Sequence, residues 1–188
     1  AYNNLGIALH KLNKINEAVD YYKNALRIKT DFAEAYNNMG NAICELNRPK
    51  DALQYFAKAI HAKYNYAEAY YSLGIAYQDL GKKERALRNF QKTVKIKPNF
   101  AEVYNNIGMV LSDLMRFDES EASYNKAIKL KPNHEKSYNN LGNLLNDLGK
   151  YGEATAAYHQ AIKIKPDYAT AYSNLLFNLN YEINFDPN

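Results

Sequence analysis

"AYNNLGIAL" at residues 1–9 returns as "AYNNMGNAI" at 35–43, "AYYSLGIAY" at 69–77, "VYNNIGMVL" at 103–111 and "SYNNLGNLL" at 137–145. Each copy begins 34 residues after the last. The phase holds further along: Ala18, Ala52, Ala86, Ser120 and Ala154 recur together, as do Tyr22, Phe56, Phe90, Tyr124 and Tyr158. Ala25, Ala59, Thr93, Ala127 and Ala161 follow, and Pro98, Pro132 and Pro166 close the last three full copies. A fixed period of this length marks a stacked-repeat architecture and has to be read before any single-domain argument.

Within one copy the apolar spacing is helical. Tyr36, Met39, Gly40, Ile43 and Leu46 form one stripe at a period of 3.6, and Ala52, Tyr55, Phe56, Ala59 and Ile60 form a second. Polar breaks such as "NRPK" (47–50) and "GKKE" (81–84) separate the two. Gly40 has no side chain to hold the paired helix away, and Ala52 and Ala59 allow the same approach from the other side. Gly81 and Gly149 suit the turn between helices, with Asn13, Asn47 and Met115 in their place elsewhere. Met115 is the poor fit if that residue needs positive φ. One helix pair cannot bury its apolar stripes alone, so stability must come from neighbours stacking on one another.

This pattern resembles the tetratricopeptide repeat. The resemblance implies an all-α, right-handed superhelical solenoid of antiparallel helix pairs. The expected division is five repeats (1–32, 33–66, 67–100, 101–134 and 135–168). Residues 169–188 would form an incomplete sixth repeat or capping helix and the start of a linker.

Composition removes several function classes. No run of eighteen apolar residues exists, so no membrane insertion is expected. A single cysteine, Cys44, rules out an internal disulfide framework, and with no N-x-S/T sequon a reducing, cytoplasmic setting is expected. The net charge of +4 is mild and dispersed, which argues against nucleic acid. His10, His61, His134 and His159 fall in four different repeat columns, so no metal site or general base is expected. Cys44 has no partner at catalytic spacing. No cofactor and no catalytic residue are assigned to these 188 residues.

Two aromatic columns read as packing: Tyr2, Tyr36, Tyr70, Tyr104, Tyr138 and Tyr172 on the buried stripe, and Phe32, Tyr66, Phe100 and Tyr168, with His134, as wedges between repeats. Lysines late in each second helix, such as Lys97 and Lys131, complement the carbonyl end of the helix dipole.

Asparagine is distributed less evenly. Of 25 copies, nine stand in two adjacent columns: Asn3, Asn37, Asn105 and Asn139, then Asn4, Asn38, Asn106, Asn140 and Asn174. The second column lies opposite the buried stripe, beside Glu34, Asn41 and Glu45 in one repeat and Glu102 and Asp113 in another. Glu68, Asp79 and Asn143 extend the same face. In a tetratricopeptide solenoid this face lines the concave groove. A carboxamide offers donor and acceptor together, so the column can meet the backbone of an extended peptide without reading its side chains. Helices about 8–10 Å apart and a chain advancing about 3.3–3.6 Å per residue place one asparagine at about every third peptide residue. Ser72 interrupts the series and should be its weak rung. A rival role for the same column is to join neighbouring first helices.

The groove face is acidic, carrying Glu34, Glu45, Glu68, Asp79, Glu102, Asp113 and Asp147 against Lys11 and Lys136. Neutral or basic peptides are therefore favoured. Tetratricopeptide domains that grip a chaperone's terminal carboxylate do so with basic residues on these helices; here those places hold mainly Asn and Glu.

In the sixth copy the contact glycine is replaced by Leu176, and "SNLLFNLNY" (173–181), followed by Asp186 and Pro187, resembles a known junction. It is similar to the point where the repeats of bacterial, SPINDLY-type relatives of the O-linked N-acetylglucosamine transferase meet their catalytic domain. In that family an asparagine ladder holds the substrate protein, and Asn4, Asn38, Asn106, Asn140 and Asn174 match it. The resemblance implies the substrate-recruiting arm of a UDP-sugar-dependent protein glycosyltransferase; the alternative is a free-standing scaffold with no enzyme attached. Self-association through the terminal repeats is also expected, driven by Leu175, Leu176, Phe177, Leu179 and Tyr181.

Overall fold

The computed structural model describes residues 1–185, with side chains over residues 1–180. Asp186 and Pro187 lie outside the described residues, as does the side chain of Tyr181. The described residues are all-α, with no strand among them. They divide into two compact units, Ala1–Pro98 and Asn99–Asn188.

The first unit holds α1 (Tyr2–Lys11), α2 (Ile15–Ile28), α3 (Ala33–Glu45), α4 (Pro49–Ala62), α5 (Ala67–Asp79) and α6 (Lys83–Ile96). Each odd-numbered helix packs on the even one after it, α2 and α4 also pack on the odd helix that follows, and α1, α3 and α5 adjoin in turn. The second unit repeats the scheme with α7 (Ala101–Asp113), α8 (Phe117–Leu130), α9 (Glu135–Asp147), α10 (Tyr151–Ile164) and α11 (Ala169–Phe185).

Small-to-large packing sets the helix pairs. A Cβ placed on Gly40 would stand 2.5 Å from Phe56 Cε1, so the ring occupies the space any side chain there would need. The buried aromatics are Tyr22, Phe56, Phe90, Tyr124 and Tyr158. The expectation for the other tyrosine column is corrected. Tyr36, Tyr70 and Tyr104 are only half-buried, and Tyr2 and Tyr172 are exposed. Their rings lie on the surface of each pair, where Lys58, Lys92 and Lys126 stand within 6.0 Å of the centroids of Tyr36, Tyr70 and Tyr104.

The turns inside each pair are left-handed. Asn13, Asn47, Met115, Gly81 and Gly149 have φ between 59° and 73°. At Met115 the cause is visible: Met115 N–H donates to Ser112 C=O and Arg116 N–H to Leu111 C=O, both at 2.9 Å, a Schellman closure that needs an αL residue. Met115 therefore adopts the conformation its side chain resists.

The tail is corrected in detail. Helix α11 runs from Ala169 to Phe185, so it takes up most of the segment expected to hold both a capping helix and a linker; neither glycine nor proline interrupts it. Leu175 is buried and Leu179 packs on the second unit's core, so of the apolar residues expected to be exposed only Leu176 and Phe177 are strongly so among the described side chains.

Candidate functional site

The two asparagine columns are one hydrogen-bonded device. The first column is buried: Asn3, Asn37, Asn105 and Asn139 are each at most 7% exposed. The second is half-exposed at Asn38, Asn106, Asn140 and Asn174, and exposed at Asn4. Asn38 Nδ2 donates to Asn3 Oδ1 of the preceding repeat at 3.1 Å. In the second unit Asn140 Nδ2 donates to Asn105 Oδ1 and Asn174 Nδ2 to Asn139 Oδ1, each at 3.0 Å. Every such bond joins one first helix to the next. The column's side chains therefore pin neighbouring first helices to one another. The pin uses one of the two N–H groups of Asn38 and Asn140, whereas Asn174 gives its second to Asn143 Oδ1 at 2.9 Å.

A buried relay supports the same joint in the second unit. His134 Nδ1 lies 2.6 Å from Ser137 Oγ, which donates to Asn105 Oδ1 at 3.1 Å. With the serine proton directed at Asn105, the imidazole donates from Nδ1. Burial, joined by the nearby Lys131 charge, holds His134 below its usual pKa, so the neutral ring is favoured.

The groove acids are paired more than the sequence implied. Glu34 meets Lys63 at 3.5 Å, Glu68 meets Lys97 at 3.2 Å and Glu102 meets Lys131 at 2.7 Å. Lys63, Lys97 and Lys131 reach back across 29 residues onto the first helix of the same repeat. The hydrogen bond from Lys131 holds Glu102 below the usual carboxylate range. Glu45 meets His10 Nε2 at 2.8 Å, linking α3 to α1.

Two cavities gather the expected residues. In the first unit about 470 Å³ is bounded by Asn37, Asn41, Glu45 and Glu68 with Tyr71, Ser72 and Ile75. Cys44 lines it too. Burial, with Asp79 and Glu45 adding to it, pushes that thiol up to about 11, which makes it an unreactive wall. In the second unit Asp113, Asn140 and Asn143 share a cavity of about 190 Å³ with Asp147. Asn4 and Asp79 line neither of these two. Among the described residues no cluster of His, Cys, Asp and Glu could hold a metal ion. No described helix is long and apolar enough to cross a membrane.

The first asparagine column, to which the sequence pattern assigns no role, supplies the acceptor of each joint. Its signal was present in the alternation of two asparagines per repeat, one donor and one acceptor for each joint.

Family models described as tetratricopeptide repeat match residues 67–100, 101–134 and 123–156, and one described as TPR repeat matches 6–47 and 142–175. No curated protein matches the chain. Among solved structures, YrrB, described as "a TPR protein with an unusual peptide-binding site", is 26% identical with a TM-score of 0.75, over 92% of this chain and 89% of its own. MamA from Desulfovibrio magneticus RS-1 (residues 41 to the end) is 20% identical with a TM-score of 0.80, over 89% of this chain and 95% of its own. TTC0263, a thermophilic TPR protein of Thermus thermophilus, is 23% identical with a TM-score of 0.75, over 95% of this chain and 97% of its own. The last two show a shared fold.

Proposed function

The chain belongs to the tetratricopeptide repeat family, and from that premise we propose that its first-helix faces bind extended segments of other proteins. The observation that carries this reading is the half-exposure of pinned carboxamides. Asn38 and Asn140 each commit one N–H to the neighbouring helix, which fixes the rotamer, and keep polar atoms beside open cavities. A donor and acceptor held rigidly lose little entropy on meeting a peptide backbone. The peptide-binding site named for YrrB adds support from a protein of like fold.

Neutral or basic segments suit this face. Glu34, Glu68 and Glu102 have lysine partners, so the field is weaker than a count of acids implies. The test is the triple variant N38A/N106A/N140A, assayed by fluorescence anisotropy against a library of unstructured peptides, well below the melting point of either protein. Each lost hydrogen bond should weaken binding by about 0.5–1.5 kcal/mol. Unchanged affinity overturns the reading.

A finer proposal follows from the tail sequence at 173–181, which resembles a repeat-to-transferase junction. On that basis the groove is the substrate-recruiting arm of a protein O-glycosyltransferase. A scaffold joining partners in an assembly is the second reading, consistent with a fold shared with YrrB over 89% of that solved chain. The coding sequence beyond Asn188 separates them: an α/β-patterned catalytic domain supports the first and its absence the second.

A further inference from the structure

The rung that is missing at Ser72 leaves an acceptor without a donor. In the other joints described, the first-column oxygen receives Nδ2 from the next repeat, at Asn3, Asn105 and Asn139. Asn37 is their equivalent, 5% exposed, and its Oδ1 has no hydrogen-bond partner. The position that should supply the donor holds Ser72, which has a hydroxyl in place of the longer carboxamide and does not reach Asn37 Oδ1. Asn37 and Ser72 both line the cavity of about 470 Å³. A buried acceptor without a partner is costly, and natural proteins keep such a group where something else satisfies it.

The rest of the cavity defines what that something is. Glu45 and Glu68 stand on its wall, and Tyr71 and Ile75 give it an aromatic and apolar lining beside the buried Phe56 ring. The same negative field, from Asp79 and Glu45, adds to burial in holding the Cys44 thiol protonated. A side chain that fits must donate to an amide oxygen at depth, carry positive charge near two carboxylates that also meet Lys97 and His10, and lie flat along the Tyr71 ring. A guanidinium does all three: it is planar, bears five N–H donors and stacks on aromatic faces, whereas an ammonium is a compact and strongly hydrated point charge.

We propose that the gap at Ser72 is an arginine socket, in which the guanidinium of a bound segment donates to Asn37 Oδ1 in place of the missing rung. This rests on the peptide-binding reading and adds side-chain selectivity to a surface otherwise aimed at backbone. It also explains why the ladder is interrupted at one repeat.

The test uses the full chain and small probes. N-acetyl-arginine N-methylamide is titrated against ¹⁵N-labelled protein while the Asn37 side-chain amide is followed by NMR, with the lysine analogue and an arginine-free Ala/Gly peptide run alongside. The arginine probe should shift Asn37 saturably. Ser72→Asn, which restores the rung, should weaken the probe by about tenfold or more, the scale of one charged hydrogen bond, and should raise the melting temperature. Ser72→Ala should retain binding, because it leaves the socket open. Equal binding of the probe by the wild type and S72N, an equal response to the lysine analogue, or no shift at Asn37 overturns the socket. The Ala/Gly peptide reports on the groove separately. If it binds both proteins alike while arginine leaves Asn37 unmoved, the socket falls and the groove stands. If it fails while the arginine probe binds, backbone binding by the asparagine column falls and arginine recognition at Asn37 stands.

Discussion

Asn140 Nδ2 donates to Asn105 Oδ1 at 3.0 Å, thirty-five residues back along the chain, and so ties helix α9 to helix α7. Replacing Asn140 by Ala should cost about 0.5–1.5 kcal/mol of stability, a typical net hydrogen bond. The low end is expected, since Asn105 Oδ1 keeps the Ser137 hydroxyl at 3.1 Å. Urea denaturation of N140A measures it; an unchanged midpoint would show the pin to be energetically idle.

Gly40→Ala should be far more damaging than its size implies. The new Cβ would meet the Phe56 ring at 2.5 Å, and that ring is fully buried. Overpacking of this kind costs about 1–3 kcal/mol. Thermal melting of G40A beside F56L/G40A checks the cause, because the smaller partner should recover part of the loss.

Met115→Gly should stabilise the protein. Met115 is exposed and holds φ at 61°, so nothing is lost from the core when its side chain is removed. Relief of a left-handed conformation at a non-glycine residue is worth about 1 kcal/mol. A rise in the urea midpoint is expected, and a fall would mean that the side chain makes a contact worth more than the strain.

Cys44 should resist alkylation until strongly alkaline pH. Burial, then Asp79 and Glu45, raise its pKa from 9.0 to about 11, so the folded state disfavours the thiolate. The sign follows from linkage: the contribution is complete below pH 9.0 and is lost as pH rises through about 11, because the unfolded chain releases the proton first. Iodoacetamide labelling followed by mass spectrometry should reach half its maximal rate near the higher value in native protein and near the lower one in denaturant. Native labelling with a midpoint near 9.0 would contradict the geometry.

How far the sequence could be read depends on the range of the interaction. Helix pairing was legible, because Gly40, Ala52 and Phe56 must occupy fixed places along two periodic stripes, and periodicity is written locally. Five copies in phase then required stacking. The asparagine columns and the gap at Ser72 were legible as pattern. Their partners were not. Whether Asn38 faces a groove or reaches Asn3 depends on a few ångströms of helix separation, which no repeat spacing encodes. Lys131 stands at a helix end on any reading, yet its pairing with Glu102 needs the turn of chain between them to bring the two within 2.7 Å. Likewise Leu175 and Leu176 are equally apolar neighbours, and only the direction each takes from α11 buries one and exposes the other. Sequence by itself determined the repeat, the helix pairs and the positions of the unusual residues, since these follow from covalent chirality, side-chain volume and period. Tertiary structure decided which polar atoms meet and that Asn37 Oδ1 is left without a partner, because hydrogen bonds form or fail over distances set only when the helices have packed.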